Sequence, residues 1–335
     1  VIRASRPTVL ATTGIALAVV AGATGVAAAA PGTAAVISVS TADELVEALA
    51  DAEPGDTIKL ASGEYEGKFV ATAKGTAKAP ITLTGSADAV LTNTSYGLHL
   101  DGAAHWKLTG FTVRQAKKGI VLDNSNHVVI DKVTVSEIDE EGVHFRRASS
   151  DNIIRNSRIT NTGLVKPEYG EGVYLGSAKS NWDSYGEDGG PDRSDRNQVL
   201  NNRIGPGVAA EAVDIKEGTV DGVVRGNTFD GDGIAGENSA DSWIDAKGND
   251  YLIEGNTGTF SGDGALLDGY QTHSPLDGYG CGNTFRANDS DLGGADGYAI
   301  NVTNQSKCDD EPNVVYDDNT VTGAGKGLTN IDTTS

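Results

Sequence analysis

Basic residues are scarce in this 335-residue chain: 26 Lys and Arg stand against 47 Asp and Glu, a formal net charge of −21. That balance excludes a nucleic-acid partner held by its phosphates, which needs a basic surface. It also sets a problem for an acidic polymer as ligand, because the global field repels it unless local cations or a bound metal intervene. Cysteine is nearly absent. Cys281 and Cys308 are the whole complement, and an even pair in an oxidising compartment predicts one disulfide rather than a metal site. After residue 30 no apolar run is long enough to cross a membrane. Helical periodicity is almost missing, no two histidines have helical metal-site spacing, and the regular Thr rows of an ice-binding face are not there.

The first 30 residues differ from the rest. They carry Arg3 and Arg6, no acid, then an uncharged apolar run that ends in small residues, the pattern of a secretory signal peptide cleaved after Ala30 or Ala35. The expected division is a signal peptide over 1–30, a linker over 31–40 and one domain over 41–335. The expected protein is secreted, extracellular and monomeric, with no membrane contact after cleavage.

A short phrase recurs through the domain: VIDKVTV, IIRNSRI, VLNNRI, VVRGNTF, LIEGNTG, TFRANDS and VVYDDNTV. Aligning them places Lys132, Asn156, Asn202, Asn227, Asn256, Asn288 and Asn319 in equivalent positions, 24 to 32 residues apart except for one gap of 46. A second short strand precedes each phrase, as in GVHFR, GVYLG, AVDIK and SWIDAK. Two or three strands per period of about 25, with Gly and Asn at the corners, predict an all-β solenoid, a right-handed parallel β-helix. The opening stretch TADELVEALADAEPGD predicts a capping helix, with Thr41 or Ser40 as its N-cap and Leu45, Val46 and Leu49 on one face.

In such a solenoid equivalent residues stack about 4.8 Å apart, so outward side chains form rows along a groove. Alternation sends His144, Arg146, Tyr174, Asp214, Lys216, Trp243, Asp245 and Lys247 outward on one face, with Asp268, Tyr270 and His273 extending the row. A wet strand face needs only generic polar residues. This one collects aromatic rings, cations and carboxylates, which are what a carbohydrate groove uses to stack sugars, orient charge and move a proton. Lys216, Lys247, Tyr174 and His144 are the candidate catalytic groups. Arg146, Asp214, Trp243, Asp245, Asp268, Tyr270 and His273 are the candidate substrate contacts. The stretches 180–197 and 268–280 read as insertions, the first as a solvated loop, a groove wall or a second Ca²⁺ site.

Residues 41–85, with the Pro54-Gly55-Asp56 turn, Gly63 and Tyr65, and the phrase GTAKAPITL, resemble the opening of the chondroitinase B and alginate lyase family of polysaccharide lyases. That family places a metal-binding glutamate five residues before a catalytic lysine, and Glu211 and Lys216 reproduce the spacing. The resemblance implies Ca²⁺ at Glu211 with Asp214 beside it, an anionic polysaccharide as substrate, and Lys216 as the base of a β-elimination, with its pKa lowered by the nearby cation. Two departures stand out. The family's second glutamate would fall on Ala209, and its arginine falls near Lys247, which offers no bidentate fork.

Three other functions are open on the same residues. A glycoside hydrolase would use Asp214 and Asp245 as its paired carboxylates, although the Asp-Asp and Gly-His-Gly phrases of polygalacturonases are missing. An epimerase would share the proton abstraction. A non-catalytic carbohydrate-binding solenoid is the third, and the uneven clustering over 211–247 favours an enzyme over it.

Overall fold

The computed structural model describes residues 34–303 and 305–335; the expected signal peptide lies outside them. Every pairing between strands is parallel, and the chain winds as a β-solenoid. One sheet stacks eleven strands in order, from Val36–Val39 to Val314–Val315. The segment read as a linker therefore supplies its first strand, Val36 pairing with Thr57 and Val39 with Leu60. Two further parallel rows complete each coil, and the long strands Ala89–Asp101 and Thr112–Asp123 bend through the corner between them.

The register puts like on like. Ile58, Leu83, Leu108, Ile130, Ile154, Val199, Val224, Ile253, Phe285 and Val315 pair in sequence and are at most 1% exposed. Such a column suits parallel strands, whose inner faces read as continuous aliphatic stacks. Each buried side chain contributes about 1.5–3 kcal/mol of transfer free energy.

At one corner a ladder of buried amides replaces the apolar stack. Asn202 Nδ2 donates to Asn227 Oδ1 at 3.1 Å, Asn227 to Asn256 at 2.9 Å, Asn256 to Asn288 at 3.0 Å and Asn288 to Asn319 at 2.9 Å. Each Oδ1 also accepts a backbone N–H from the preceding coil. Two of the aligned positions are one residue off. Ser157, not Asn156, continues the ladder, accepting from Val133 N and taking Asn202 Oδ1 on its own N–H. Lys132 and Asn156 instead occupy the corner's left-handed position, with φ of 58° and 51°. The gap of 46 is one coil with an insertion, since Ile153–Arg155 pairs directly with Gln198–Leu200.

A helix spans Ala42–Ala50 with Thr41 as N-cap. Thr41 Oγ1 accepts from Glu44 N, and Glu44 Oε2 accepts from Thr41 N, a reciprocal capping box. Its buried face is Leu45, Ala48 and Leu49; Val46 faces solvent at 43% exposure. Cys281 and Cys308 form the expected disulfide, with Cα atoms 5.3 Å apart. The closed loop of 27 residues is of a length whose closure contributes about 3 kcal/mol.

Replacing Asn227 with Ala strands the N–H of Asn202 and removes the amide's bonds to the Val199 carbonyl and to Asn256 Oδ1. Loss of about 2 kcal/mol or more is expected by denaturant titration. Asn227→Ser should lose less, because serine fills the same position at residue 157. Equal stability of all three proteins would show that the ladder is not what locks the register.

Candidate functional site

The site grows from the parallel row that holds strands Val143–Arg146, Val173–Leu175, Val213–Ile215, Ser242–Ala246 and Asp268–Thr272. Register stacks His144, Tyr174, Asp214, Asp245 and Gln271 in one column. Lys216 and Lys247 follow on adjacent coils, their backbone N–H groups continuing the ladder to Leu175 and Ile215. The corner before the strands repeats as Glu141-Gly142-Val143, Glu171-Gly172-Val173 and Glu211-Ala212-Val213. Gly142 N donates to Glu171 O and Gly172 N to Glu211 O, so these three glutamates also stack.

Lys216 and Asp214 are 2.6 Å apart, and Asp214 also accepts from Lys247 at 3.0 Å. Lys247 bridges on to Asp245, whose other oxygen meets His273 Nδ1 at 2.8 Å. Charges thus alternate over three coils, Lys216, Asp214, Lys247, Asp245, His273. Against this chain lie Glu171 and Glu211. With Asp214 they are buried, and one carboxylate oxygen from each lies within 4.8 Å of the others. Glu171 Oε2 has no hydrogen-bond partner.

The electrostatics follow from that crowding. Burial first, then the neighbouring Glu141 and Asp214 charges, push Glu171 well above the ordinary carboxyl range. Burial and Asp214 push Glu211 up to about 8. Burial alone would lower Lys216, but Asp214 and Glu171 outweigh it and raise the ammonium's pKa. This reverses the expected lowering, because the carboxylates lie closer than any other cation. Lys247 is raised in the same way, burial being overcome by Asp214 and Asp245. Asp245 is held low, since Lys247 and His273 overcome its burial. Burial raises Tyr174 well above the usual phenol range and lowers His144.

Lys216, Lys247, Asp214, Asp245, Glu211 and His273 line a cavity of about 490 Å³. Its walls come from loops at the two ends of the strands: Ala178, Ser180, Ser274 and Pro275 on one side, Glu168 and residues 237–239 on the other. The first insertion is a fixed wall. Buried Asp192 accepts the N–H groups of Arg147 and Ala148 and the hydroxyls of Ser177 and Ser194. Trp182 of that insertion meets Tyr279 of the second, with ring centroids 6.0 Å apart.

Three expected substrate contacts face away from this cavity. Trp243 is fully buried in the core; it sits at the corner, where alternation breaks, and a Cβ at Gly258 would come within 2.3 Å of its ring. Tyr270 pairs with Ile244 and Ile300 and is likewise fully buried. The outward residue of its strand is Gln271, one position later. Asp268 is 1% exposed and accepts from Tyr298 N, Gln271 Nε2 and Asn301 Nδ2, a structural carboxylate. His144, Tyr174 and Arg146 line a neighbouring cavity of about 340 Å³. The carboxylate that sequence reasoning missed is Glu171. It joins Glu211 and Asp214 from one coil earlier, and stacking GEGVYL over AEAVDI was the signal for it.

A family model described as a right handed beta helix region matches residues 96–257. Among solved structures, the chain is similar to an alginate lyase from Paenibacillus sp. str. FPU-7, with 42% identity, 90% of this chain and 99% of that chain covered, and a TM-score of 0.83. It shares its fold with pectate lyase Pel9A, at 15% identity, coverage of 91% and 79%, and a TM-score of 0.67. The same holds for the Streptococcus pneumoniae surface protein and adhesin PfbA, at 15% identity, coverage of 86% and 81%, and a TM-score of 0.59. No curated protein sequence matches.

Because Glu211 holds its proton more tightly in the folded chain than in the unfolded one, its contribution to stability is full at acid pH and is lost as pH rises through about 8. Melting temperature, measured without divalent cations, should therefore fall between about pH 5 and pH 8. Glu211→Gln should make that fall shallower. An unchanged slope would place the strain elsewhere.

Proposed function

The chain belongs to the right-handed parallel β-helix polysaccharide lyases, and we propose that it cleaves a uronic-acid-containing polysaccharide by β-elimination. One observation carries this reading: Lys216 stands in a groove beside three buried carboxylates, in a chain 42% identical to an alginate lyase over 99% of that lyase's length. Alginate is therefore the first polymer to test. Secretion, by way of the leader-like first 30 residues, belongs to the same proposal, since such polymers lie outside cells. So does a monomer acting without a nucleic-acid partner. Among the described residues no helix is long and apolar enough to cross a membrane.

In the proposed reaction Lys216 takes the proton from the carbon next to the uronate carboxylate. The electron pair left behind forms a carbon–carbon double bond as the glycosidic carbon–oxygen bond breaks, and the departing oxygen takes up a proton. Tyr174, whose ring lies 5.0 Å from Lys216 Nζ, keeps its phenolic proton and is the neighbouring donor. His144, the remaining candidate, gives Nε2–H to Gly176 O and opens on the adjoining cavity. Lys247 and His273 hold Asp214 and Asp245 in place. These two aspartates, the pair a hydrolase would need, are engaged by side chains on both oxygens, Asp214 by Lys216 and Lys247 and Asp245 by Lys247 and the His273 ring, so the geometry favours elimination.

Glu171, Glu211 and Asp214 fit a hard cation such as Ca²⁺, which takes oxygen ligands, and the orphaned Glu171 Oε2 is a ready donor. Bound there, the ion would supply positive charge that offsets a uronate carboxylate and weakens the hold of Asp214 and Glu171 on the Lys216 proton.

Lys216→Ala should keep the coiled fold but lower the melting temperature, because buried Asp214 and Glu171 lose a cation that offsets them. It should lower the appearance of ultraviolet-absorbing unsaturated ends from alginate by about 10²-fold or more. Near-full activity in the variant would move the base to another residue. Since a base must shed its proton and Lys216 is held protonated, the parent's activity should rise towards alkaline pH. A separate check needs no activity: Ca²⁺ should raise the melting temperature of the parent at about pH 8 and not that of Glu211→Gln. Equal shifts in both would place the ion elsewhere.

A further inference from the structure

We propose that the cavity beneath the first insertion is a second sugar subsite, in which Arg146, His144 and Tyr185 hold the uronate residue next to the cleaved bond on the side of the earlier coils. The inference rests on the uronate-lyase reading above. The two cavities share Glu171 as a lining residue, so the one holding Arg146 adjoins the one holding Lys216. They follow one another along the solenoid axis, where one coil rises about 4.8 Å, close to the length of one pyranose in an extended chain. A polymer lying there presents roughly one sugar per coil.

Two polar groups in this cavity are set for a ligand. Arg146 gives Nε to Asp123 Oδ1 at 2.6 Å and Nη2 to Asp123 Oδ2 at 3.1 Å, and Nη2 also donates to the Tyr96 hydroxyl at 3.2 Å. Its Nη1 has no protein acceptor among the described residues, and a carboxylate is the partner a guanidinium prefers. His144 is 5% exposed and donates Nε2–H to Gly176 O, which leaves Nδ1 as an acceptor. That atom has no hydrogen-bond partner, Glu141 Oε1 being 3.5 Å away. A buried lone pair in this state costs free energy unless something donates to it, and a sugar hydroxyl would.

The insertion supplies the roof. Tyr185 lies over the Arg146 guanidinium at 4.4 Å, and the ring of Tyr96 is 5.7 Å from the same group. The cation is thus fixed from two directions before any ligand arrives, which reduces the ordering cost of binding. The buried Asp192 contacts hold the insertion to the coil that carries Arg146. This gives the insertion a function in binding and explains why three hydrogen bonds from Arg147, Ala148 and Ser177 tie its Asp192 to the coils.

The test compares Tyr185→Ala and Tyr185→Phe with the parent on alginate and on a series of short oligouronates. Tyr185→Ala should raise KM for the polymer about ten-fold, the scale of one aromatic platform, with the loss falling on KM rather than kcat and with the melting temperature unchanged. Tyr185→Phe keeps the ring and should restore the parent's KM. In the parent, KM should drop as the oligomer grows long enough to reach the second cavity, and Tyr185→Ala should lose that drop. A KM for Tyr185→Ala equal to the parent's, or a Tyr185→Phe variant as impaired as Tyr185→Ala, overturns the subsite while leaving the lyase reading intact. If the parent neither binds nor cleaves any uronate polymer, the lyase reading and the subsite fall together.

Discussion

Coil-to-coil register is the constraint on which this molecule depends. A parallel solenoid has only weak local reasons to stop one coil sliding on the next, since the inward residues are interchangeable aliphatics. The buried amide ladder from Asn202 to Asn319 removes that freedom, because a carboxamide must meet both a backbone N–H and the next amide at hydrogen-bond distance. A slip by one residue would leave a column of buried polar groups unpaired. With the register fixed, outward residues one coil apart, such as Glu171 and Asp214 or Asp214 and Lys247, become neighbours. That is how Glu171, Asp214, Lys216 and Lys247 come to share one cavity without any local sequence motif.

The price of that cavity is electrostatic. Three buried carboxylates within 4.8 Å of one another repel, and burial with that repulsion raises the pKa of Glu171 and Glu211. The lysines offset part of the strain, which is why Lys216 and Lys247 stay charged despite burial. The arrangement also answers the problem of an acidic protein meeting an acidic polymer. The field of the whole molecule repels a polyanion, whereas the groove carries Lys216, Lys247, Arg146 and His273 where the polymer would lie. Repulsion at long range and attraction at short range are compatible, because salt screens beyond about 10 Å.

Much of this was legible in the sequence. Period, corner residues and strand alternation indicated the solenoid, the disulfide and the outward positions of Asp214, Lys216, Asp245 and Lys247. Alternation failed at corners, where the pleat is interrupted: Trp243 turns inward at the start of its strand, and Tyr270 and Asp268 are displaced by one position because their strand begins later than the phrase ALLDGY suggested. Lys132 and Asn156 were misaligned for a related reason, since the corner holds both a left-handed residue and a ladder residue, and asparagine suits either. Glu171 was missed because it was sought by spacing along one strand rather than by stacking between coils. The reversed pKa of Lys216 was not readable at all, as it depends on distances between carboxylates from different coils.

The proposed reaction is one chemical event, breakage of a uronate glycosidic bond by elimination rather than by addition of water. Mass spectrometry of the products from an alginate oligomer of defined length tests it most directly. Elimination gives two fragments whose masses add to that of the substrate, one of them unsaturated at its non-reducing end. Fragments whose masses add to substrate plus one water would contradict the account and assign the groove to hydrolysis.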